Sequence, residues 1–366
     1  MRTQCNIRDL HGQHVYSGID IAKRSWRVSI YVGSQYYRSF TQPPQPEALR
    51  TYLEHNFPGA KYHSVYEAGY FGSWTHRQLV AMGIHNMIVH PADVPTTDKE
   101  HRRKNDPVDA RKLSRSLSLG ELHALYVPSQ EAEHDRSLVR MRYGFVKKQT
   151  RCKLQIKSLL AFSGIPIPAD MDERYWSRQF IAWLQQVRFT TDSGTQALHV
   201  LLEELLFLRS QLLQLTRQIR QLSRSAPYQK SAQLLRTIPG ISELSAMMFL
   251  TEIVDIHRFR TPDHLASYAG LVPDEHSSGD TQQIGSISRR RNPALRAQLV
   301  ECAWITIHND PVLATAFDHF AQRMGKKKAI REVQEESGIY YMDYQYYNNE
   351  FGWSKEIVTE MKDLTF

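Results

Sequence analysis

Four acidic residues mark the chemistry that this sequence could perform. Asp20 lies inside Ser17-Gly-Ile-Asp-Ile-Ala22, Glu67 closes His63-Ser-Val-Tyr-Glu67, and Asp106 and Asp109 stand in Asn105-Asp-Pro-Val-Asp-Ala110. Carboxylates at the ends of apolar runs, in a chain with 46 Lys and Arg against 38 Asp and Glu, are candidates for holding divalent cations against a phosphate backbone. Each acid also has a purely structural account. On a strand, Asp20 points opposite to Ile19 and Ile21, and it and Glu67 could be solvated carboxylates at a sheet rim. Asp106 followed by Pro107 reads as a helix cap, with Asp109 complementing the helix dipole. The same i, i+3 spacing puts two carboxylates roughly 5 to 6 Å apart on one helix face, close enough to share a metal. The two roles are compatible.

A second candidate site lies in Pro273-Asp-Glu-His-Ser-Ser-Gly-Asp-Thr281, read as a small polar loop in which Ser277 or Ser278 could act as a nucleophile. A Ser-Ser-Gly sequence is an ordinary turn far more often than a catalytic element. Basic residues that could clamp phosphates stand nearby and elsewhere: Arg289, Arg290, Arg291 and Arg296; Arg102, Arg103 and Lys104; and Lys326, Lys327 and Lys328.

These residues need elements to position them. Val15 to Ile21, Arg27 to Val32, Tyr36 to Thr41, Tyr62 to Glu67 and His85 to His90 have the β-branched and aromatic content of strands, with helical spacing over 46–56 and 72–82. Three strands in succession followed by alternating helix and strand predict a mixed sheet with an antiparallel start, as in the ribonuclease H architecture. No glycine-rich loop supports a dinucleotide fold. Residues 91–104 form a polar loop ending in a basic cluster, and the pattern from about 106 to 188 is mostly helical. A long helix follows, with Leu198, Leu201, Leu205, Leu208, Leu212, Leu215, Ile219 and Leu222 spaced alternately three and four apart. This heptad seam serves either as a coiled-coil arm joining protomers or as one side of a helical hairpin on residues 136–160, and Leu202, Leu206 and Leu213 widen the stripe beyond a strict seam. Around Pro239-Gly240, residues 234–250 read as two helices, a helix-hairpin-helix-like element or an ordinary helical turn, with Ser242 where a second glycine is usual. The expected divisions are 1–125, 126–230, 231–330 and an acidic, tyrosine-rich tail over 331–366.

The 366 residues, 41% of them hydrophobic, suffice for two or three globular domains, and the net charge of +8 favours a polyanionic partner. Three distant cysteines, Cys5, Cys152 and Cys302, suggest neither a disulfide framework nor a zinc knuckle and fit a reducing cytoplasm. Neither a signal segment nor a membrane span is expected.

In this order, the motifs resemble the DEDD transposases of bridge-RNA insertion sequences, the IS one-ten and IS eleven-eleven group, which includes the pilin-gene invertase Piv. The resemblance rests on Gly18-Ile-Asp-Ile-Ala-Lys23, Tyr66-Glu-Ala-Gly69, Lys104-Asn-Asp-Pro-Val-Asp-Ala-Arg111, Ile238-Pro-Gly-Ile241, Phe259-Arg-Thr-Pro-Asp-His-Leu-Ala-Ser-Tyr-Ala-Gly-Leu-Val-Pro273, Ser277-Ser-Gly279 and Ile287-Ser-Arg-Arg-Arg-Asn-Pro-Ala-Leu-Arg296. It implies a RuvC-like, ribonuclease H-like N-terminal domain, α/β in class, whose acids Asp20, Glu67, Asp106 and Asp109 bind magnesium, two ions in all. It implies a mostly helical C-terminal domain in which Ser278, rather than its neighbour Ser277, becomes joined to the DNA strand. It also implies DNA and a noncoding guide RNA as partners, a dimer or tetramer, and a nucleoid-associated place in the cytoplasm. The arginine triplet and the tail beyond residue 330 depart from the family pattern. Two other readings use the same residues: a hydrolytic junction-resolving nuclease without the serine, and a noncatalytic nucleic-acid-binding scaffold in which the acids are caps.

Overall fold

The computed structural model describes residues 11–95, 106–169, 171, 176–271, 273–278, 281–287, 292–326 and 329–330. The chain divides into two compact units, residues 1–127 and 128–366.

The first unit is built on one sheet. Its strands are β1 (His14–Ile21), β2 (Trp26–Val32), β3 (Gln35–Gln42), β4 (Lys61–Glu67) and β5 (His85–Val89), in the spatial order β3-β2-β1-β4-β5. The first three run antiparallel through short turns, whereas β1 pairs parallel with β4 and β4 with β5. The crossovers are α1 (Pro46–Asn56), which opens on a proline where a missing N–H costs nothing, and α2 (Trp74–Ala81). Alternation decides what each face buries. Val15, Ile19, Val28, Ile30, Tyr62 and Tyr66 pack with Leu49 and Leu53 of α1 and Leu79 of α2. On the other face, Val65 and Val89 pack with Leu113 and Leu117 of α3 (Asp106–Leu119). This is the mixed sheet that the strand order predicts.

The second unit is mostly helical. A 33-residue helix, α4 (Gln130–Phe162), starts from a Ser129 hydroxyl that accepts the Ala132 N–H. It packs against α6 (Asp192–Leu222), with α5 (Arg178–Gln186) between them in sequence. Cys152, Ile156 and Leu160 of α4 meet Leu198, Leu202, Leu205 and Leu208 of α6, together with Phe180, Ile181 and Leu184 of α5. The leucine seam is therefore spent within the chain, as a helical hairpin. What remains outward on α6 is Val200, Leu206, Phe207 and Leu213. The remaining elements are α7 (Gln229–Leu235), α8 (Glu243–Ile253), α9 (Pro262–Ala269), the antiparallel pair β6 (Pro273–Ser278) and β7 (Thr281–Ile287), α10 (Pro293–Thr306) and α11 (Pro311–Met324).

One expectation changes at this level. Residues 273–281, expected as a loop, are largely strand: Ser278 ends β6 and pairs with Thr281 of β7. A Gly-Asp dipeptide at 279–280 between two short polar runs is a two-residue hairpin signal, which polar composition obscured. The Pro239-Gly240 turn does join two helices, but Gly240 has a physical reason of its own. It holds φ +88°, and a Cβ there would lie 2.6 Å from Thr306 Oγ1 and 2.8 Å from the Cys302 carbonyl oxygen. Ser242, in place of a second glycine, caps α8 by accepting the Ser245 N–H.

Candidate functional site

The register of β1 on β4 sets the site. Ile19 is opposite Tyr66, so one step further Asp20 comes beside Glu67, at the C-terminal ends of two parallel strands in the middle of the sheet. Ile19 and Tyr66 are buried towards α1 and α2; by alternation both carboxylates emerge on the opposite face, which α3 covers. Gly18 explains how α3 comes so close. A Cβ at this position would stand 2.9 Å from Leu113 Cβ and still nearer the Ala110 carbonyl oxygen and the Ser114 amide nitrogen. The helix backbone lies directly on the strand, fastened by the Ser114 hydroxyl donating to Ser29 Oγ at 3.1 Å. Asp109, adjacent to Ala110, is thereby carried to the same face of β1 as Asp20. Asp20, Glu67 and Asp109 are all intermediate in exposure. Asp106 opens α3 one turn before Ala110; its side chain is outside the described residues.

A cation shares this face. Arg27 of β2 stands directly across from Asp20, and its Nη1 donates to Thr41 Oγ1 of β3 at 2.8 Å. Arg111, two residues after Asp109, lies over the Tyr36 ring at 4.2 Å. Neither arginine was singled out from sequence. Their signal was positional: Arg27 can be matched to Asp20 only after the hairpin register is known.

Among the described residues, no group of three or more His, Cys, Asp or Glu side chains is drawn together tightly enough to hold a metal ion. The donor set nevertheless suits a hard cation. Carboxylate oxygens from two strand ends and a helix start are the ligands that magnesium takes with water completing its shell, and they are not a thiolate or imidazole set for zinc.

The second unit holds the serine element. Ser277 and Ser278 are consecutive in β6, facing Gln282 and Thr281 of β7. Their side chains, the arginine triplet at 289–291, the cluster at 102–104 and Lys327 and Lys328 lie outside the described residues. Lys326 is exposed and Arg296, on α10, half-buried.

Where the β6–β7 ribbon returns to α10, the structure shows a polar node that sequence reading missed. Glu252 of α8 is fully buried and accepts from Arg140 Nε at 2.6 Å and Nη2 at 2.7 Å, a bidentate pair, and from Asn292 Nδ2 at 2.6 Å. Asn292 in turn caps α10 through its Oδ1, which accepts the Leu295 N–H, and its own N–H donates to the Tyr268 carbonyl oxygen. The Glu252 carboxylate holds the Arg140 guanidinium above its usual range, chiefly through these hydrogen bonds. A charge inside the apolar run Ala246 to Ile253 was the available clue, because burying it is affordable only with a partner.

A sheet of this order with acids at the ends of β1 and β4 and at the start of the covering helix defines a ribonuclease H-like domain of the DEDD transposase type. Residues 17–164 match the family profile of that type, described as transposase, and residues 232–318 match the profile described as transposase IS116/IS110/IS902 family. The chain thus carries the two transposase domains of the IS110/IS116/IS902 family. A candidate transposase of Sinorhizobium fredii is 29% identical over 286 residues, covering 76% of this chain and 65% of that protein. The transposase for insertion sequence element IS1111A of Coxiella burnetii is 26% identical over 228 residues, 62% of this chain and 61% of its own length. The pilin gene-inverting protein of Moraxella bovis is 27% identical over 333 residues, 85% of this chain and 88% of its own. The chain spans just under two thirds of the first two relatives and most of the third.

Proposed function

We propose that this protein is a transposase that cuts and rejoins DNA strands, using metal held by Asp20, Glu67, Asp106 and Asp109 and a strand-accepting hydroxyl on Ser278. The observation that carries the reading is the convergence of Asp20 and Glu67, adjacent in register, with the acidic start of α3 on one face of the sheet. The pairing of both family domains in one chain supports it.

Magnesium, two ions in this reading, would polarise the phosphate and neutralise the charge that develops on it. The chain's own residues do the rest. The carboxylates place the scissile phosphate at the strand ends, and Arg27, across from Asp20, adds positive charge beside it. The Ser278 oxygen forms a bond to phosphorus as the bond from phosphorus to one deoxyribose oxygen breaks. The serine gives up its proton and the departing sugar oxygen gains one. The resulting phosphoserine ester keeps the energy of the original diester, so a new hydroxyl can rejoin the strand without ATP. The acids and Ser278 belong to different compact units, so a second copy of the chain could supply one of them. The apolar residues left outward on α6, Leu206 and Leu213 at 40% and 62% exposure, support a dimer or tetramer. A noncoding guide RNA as selector of the target is consistent with the net charge of +8. The helix-hairpin-helix-like element around Gly240 would grip DNA phosphates. The described residues contain no helix long and apolar enough to cross a membrane, and a nucleoid-associated place in the cytoplasm belongs to the same proposal.

The test uses purified protein, magnesium, DNA carrying the element ends and the element's structured RNA. A strand covalently attached to protein, lost in Ser278→Ala and in Asp20→Asn, is the expected result. Free termini in place of an adduct would move the assignment to a hydrolytic nuclease, since hydrolysis needs the acids alone. Wild-type protein that binds DNA without cutting it, and binds it equally well as Asp20→Asn, would leave only a scaffold.

A further inference from the structure

The loop that follows Glu67 holds an aromatic cluster that the reading above does not use. Residues 68–73, between β4 and α2, are fastened from beneath. The Ala68 N–H donates to the Val89 carbonyl oxygen at 2.8 Å, and the Gly72 N–H to that of Gly69 at 3.2 Å. Tyr66, buried in the sheet, donates its hydroxyl to the Gly72 carbonyl oxygen at 3.0 Å and accepts the His76 N–H at 3.3 Å. Gly72 takes φ +62°, which only glycine adopts without strain.

On this anchored loop Tyr70 is 96% exposed. Its ring meets that of Phe71 edge-on, with centroids 5.6 Å apart, and Trp74 at the start of α2 is 45% exposed, leaning on the buried Trp26 at 6.3 Å. A single exposed apolar side chain needs no explanation. Three aromatic residues within five positions, on a loop fixed by hydrogen bonds, form an aromatic surface of the kind that marks an interaction site. Their place says with what. Tyr70 is three residues past Glu67, at the end of the sheet where Asp20 emerges. The turn after β1 puts exposed Lys23 and Arg24 at that end too, as cations for a phosphate chain.

Resting on the assignment of the acids as a DNA-cutting site, we propose that Tyr70, beside Phe71 and Trp74, is a stacking platform for an unpaired DNA base at the end of the sheet where the acids stand. A strand drawn out of its duplex towards these strand ends carries a base that has lost its stacking neighbours. An aromatic face restores that stacking for any base, while the acids and cations hold the backbone.

The experiment titrates the full-length chain into a single-stranded oligodeoxynucleotide carrying 2-aminopurine, in EDTA so that binding is read apart from cutting. Wild-type protein should quench the fluorescence. Tyr70→Ala should weaken binding about tenfold or more, Tyr70→Phe and Tyr70→Trp should stay within about threefold of wild type, and affinity for the duplex of the same sequence should hold within about twofold in all. The absence of quenching by wild type, unchanged affinity in Tyr70→Ala, or failure of Tyr70→Phe to substitute would each overturn the platform. A magnesium assay on the same proteins separates this from the cutting site. Protein that quenches through Tyr70 yet leaves DNA uncut sinks the assignment of the acids, whereas protein that cuts, but binds equally well as Tyr70→Ala, sinks the platform alone.

Discussion

A methyl group at position 18 would have nowhere to go, because β1 and α3 touch backbone to backbone there. Gly18→Ala must push the helix off the strand, an overpacking that costs about 3 kcal/mol or more. We expect a lower melting temperature and, on the proposed assignment of the acids, lost DNA cleavage, since the same contact carries Asp109 to the face of β1 that bears Asp20. Calorimetry and a cleavage assay check it. Glu252 makes the complementary case. Arg140→Ala leaves a fully buried carboxylate with Asn292 as its remaining side-chain donor, and stability should fall by about 3 kcal/mol in urea denaturation. Arg140→Lys, with one point charge in place of a fork, should recover only part of it. These two positions mark the limit of legibility at this scale. Asp20 and Glu67 announced themselves by standing at the ends of apolar runs. Arg140 sits 112 positions from Glu252, and nothing local in either segment names the other.

The long hairpin of α4 and α6 shows what an element's sequence can and cannot declare. A three-four leucine spacing establishes a helix with one apolar face, but that face is equally satisfied by another chain or by the same one. The partner stripe on α4, Cys152, Ile156 and Leu160, is only visible as such once the two helices are set side by side. Leu205→Ala, at a site with no exposure, should therefore cost about 2 to 5 kcal/mol in unfolding experiments at any protein concentration, as an intrachain core does. A destabilisation that vanished on dilution would instead point to a seam between copies. The sheet offers a second element-scale prediction. His14, His63 and His85 stand side by side on β1, β4 and β5, with His14 Nδ1 and His63 Nε2 2.8 Å apart and the His63 and His85 rings stacked at 5.3 Å. Burial, then the neighbouring His14, His85 and Lys61, pushes the His63 imidazole below its ordinary value of 6.5. The unfolded chain thus binds a proton at this residue more readily than the folded one. The stability it contributes is present above pH 6.5 and is lost as pH falls through the lower folded value. His63→Phe should flatten that part of the melting-temperature profile, and an unchanged profile would place the acid sensitivity elsewhere.

Each unit of the whole molecule keeps its own core, the first around Ile19, Tyr66 and Leu53, the second around Ile156, Leu205 and Phe180. We expect two thermal transitions, Gly18→Ala moving one and Leu205→Ala the other; a single transition moved by both would show that the units unfold as one. The mixed sheet was readable because the apolar and aromatic strand runs cluster before residue 90, and helical spacing dominates from 106 to about 250. The β6–β7 ribbon was not, because its short, mostly polar sequences lack the apolar alternation that declares a sheet.

The parallel pairing of β1 with β4 also has a consequence for the order of events during synthesis. Two hairpin strands, α1 and its flanking turns must leave the ribosome before β4 can reach β1, and α3, ending at Leu119, comes later still. In the proposed site the first acid, Asp20, is translated early and gains its partners only after the whole sheet and its covering helix have been made.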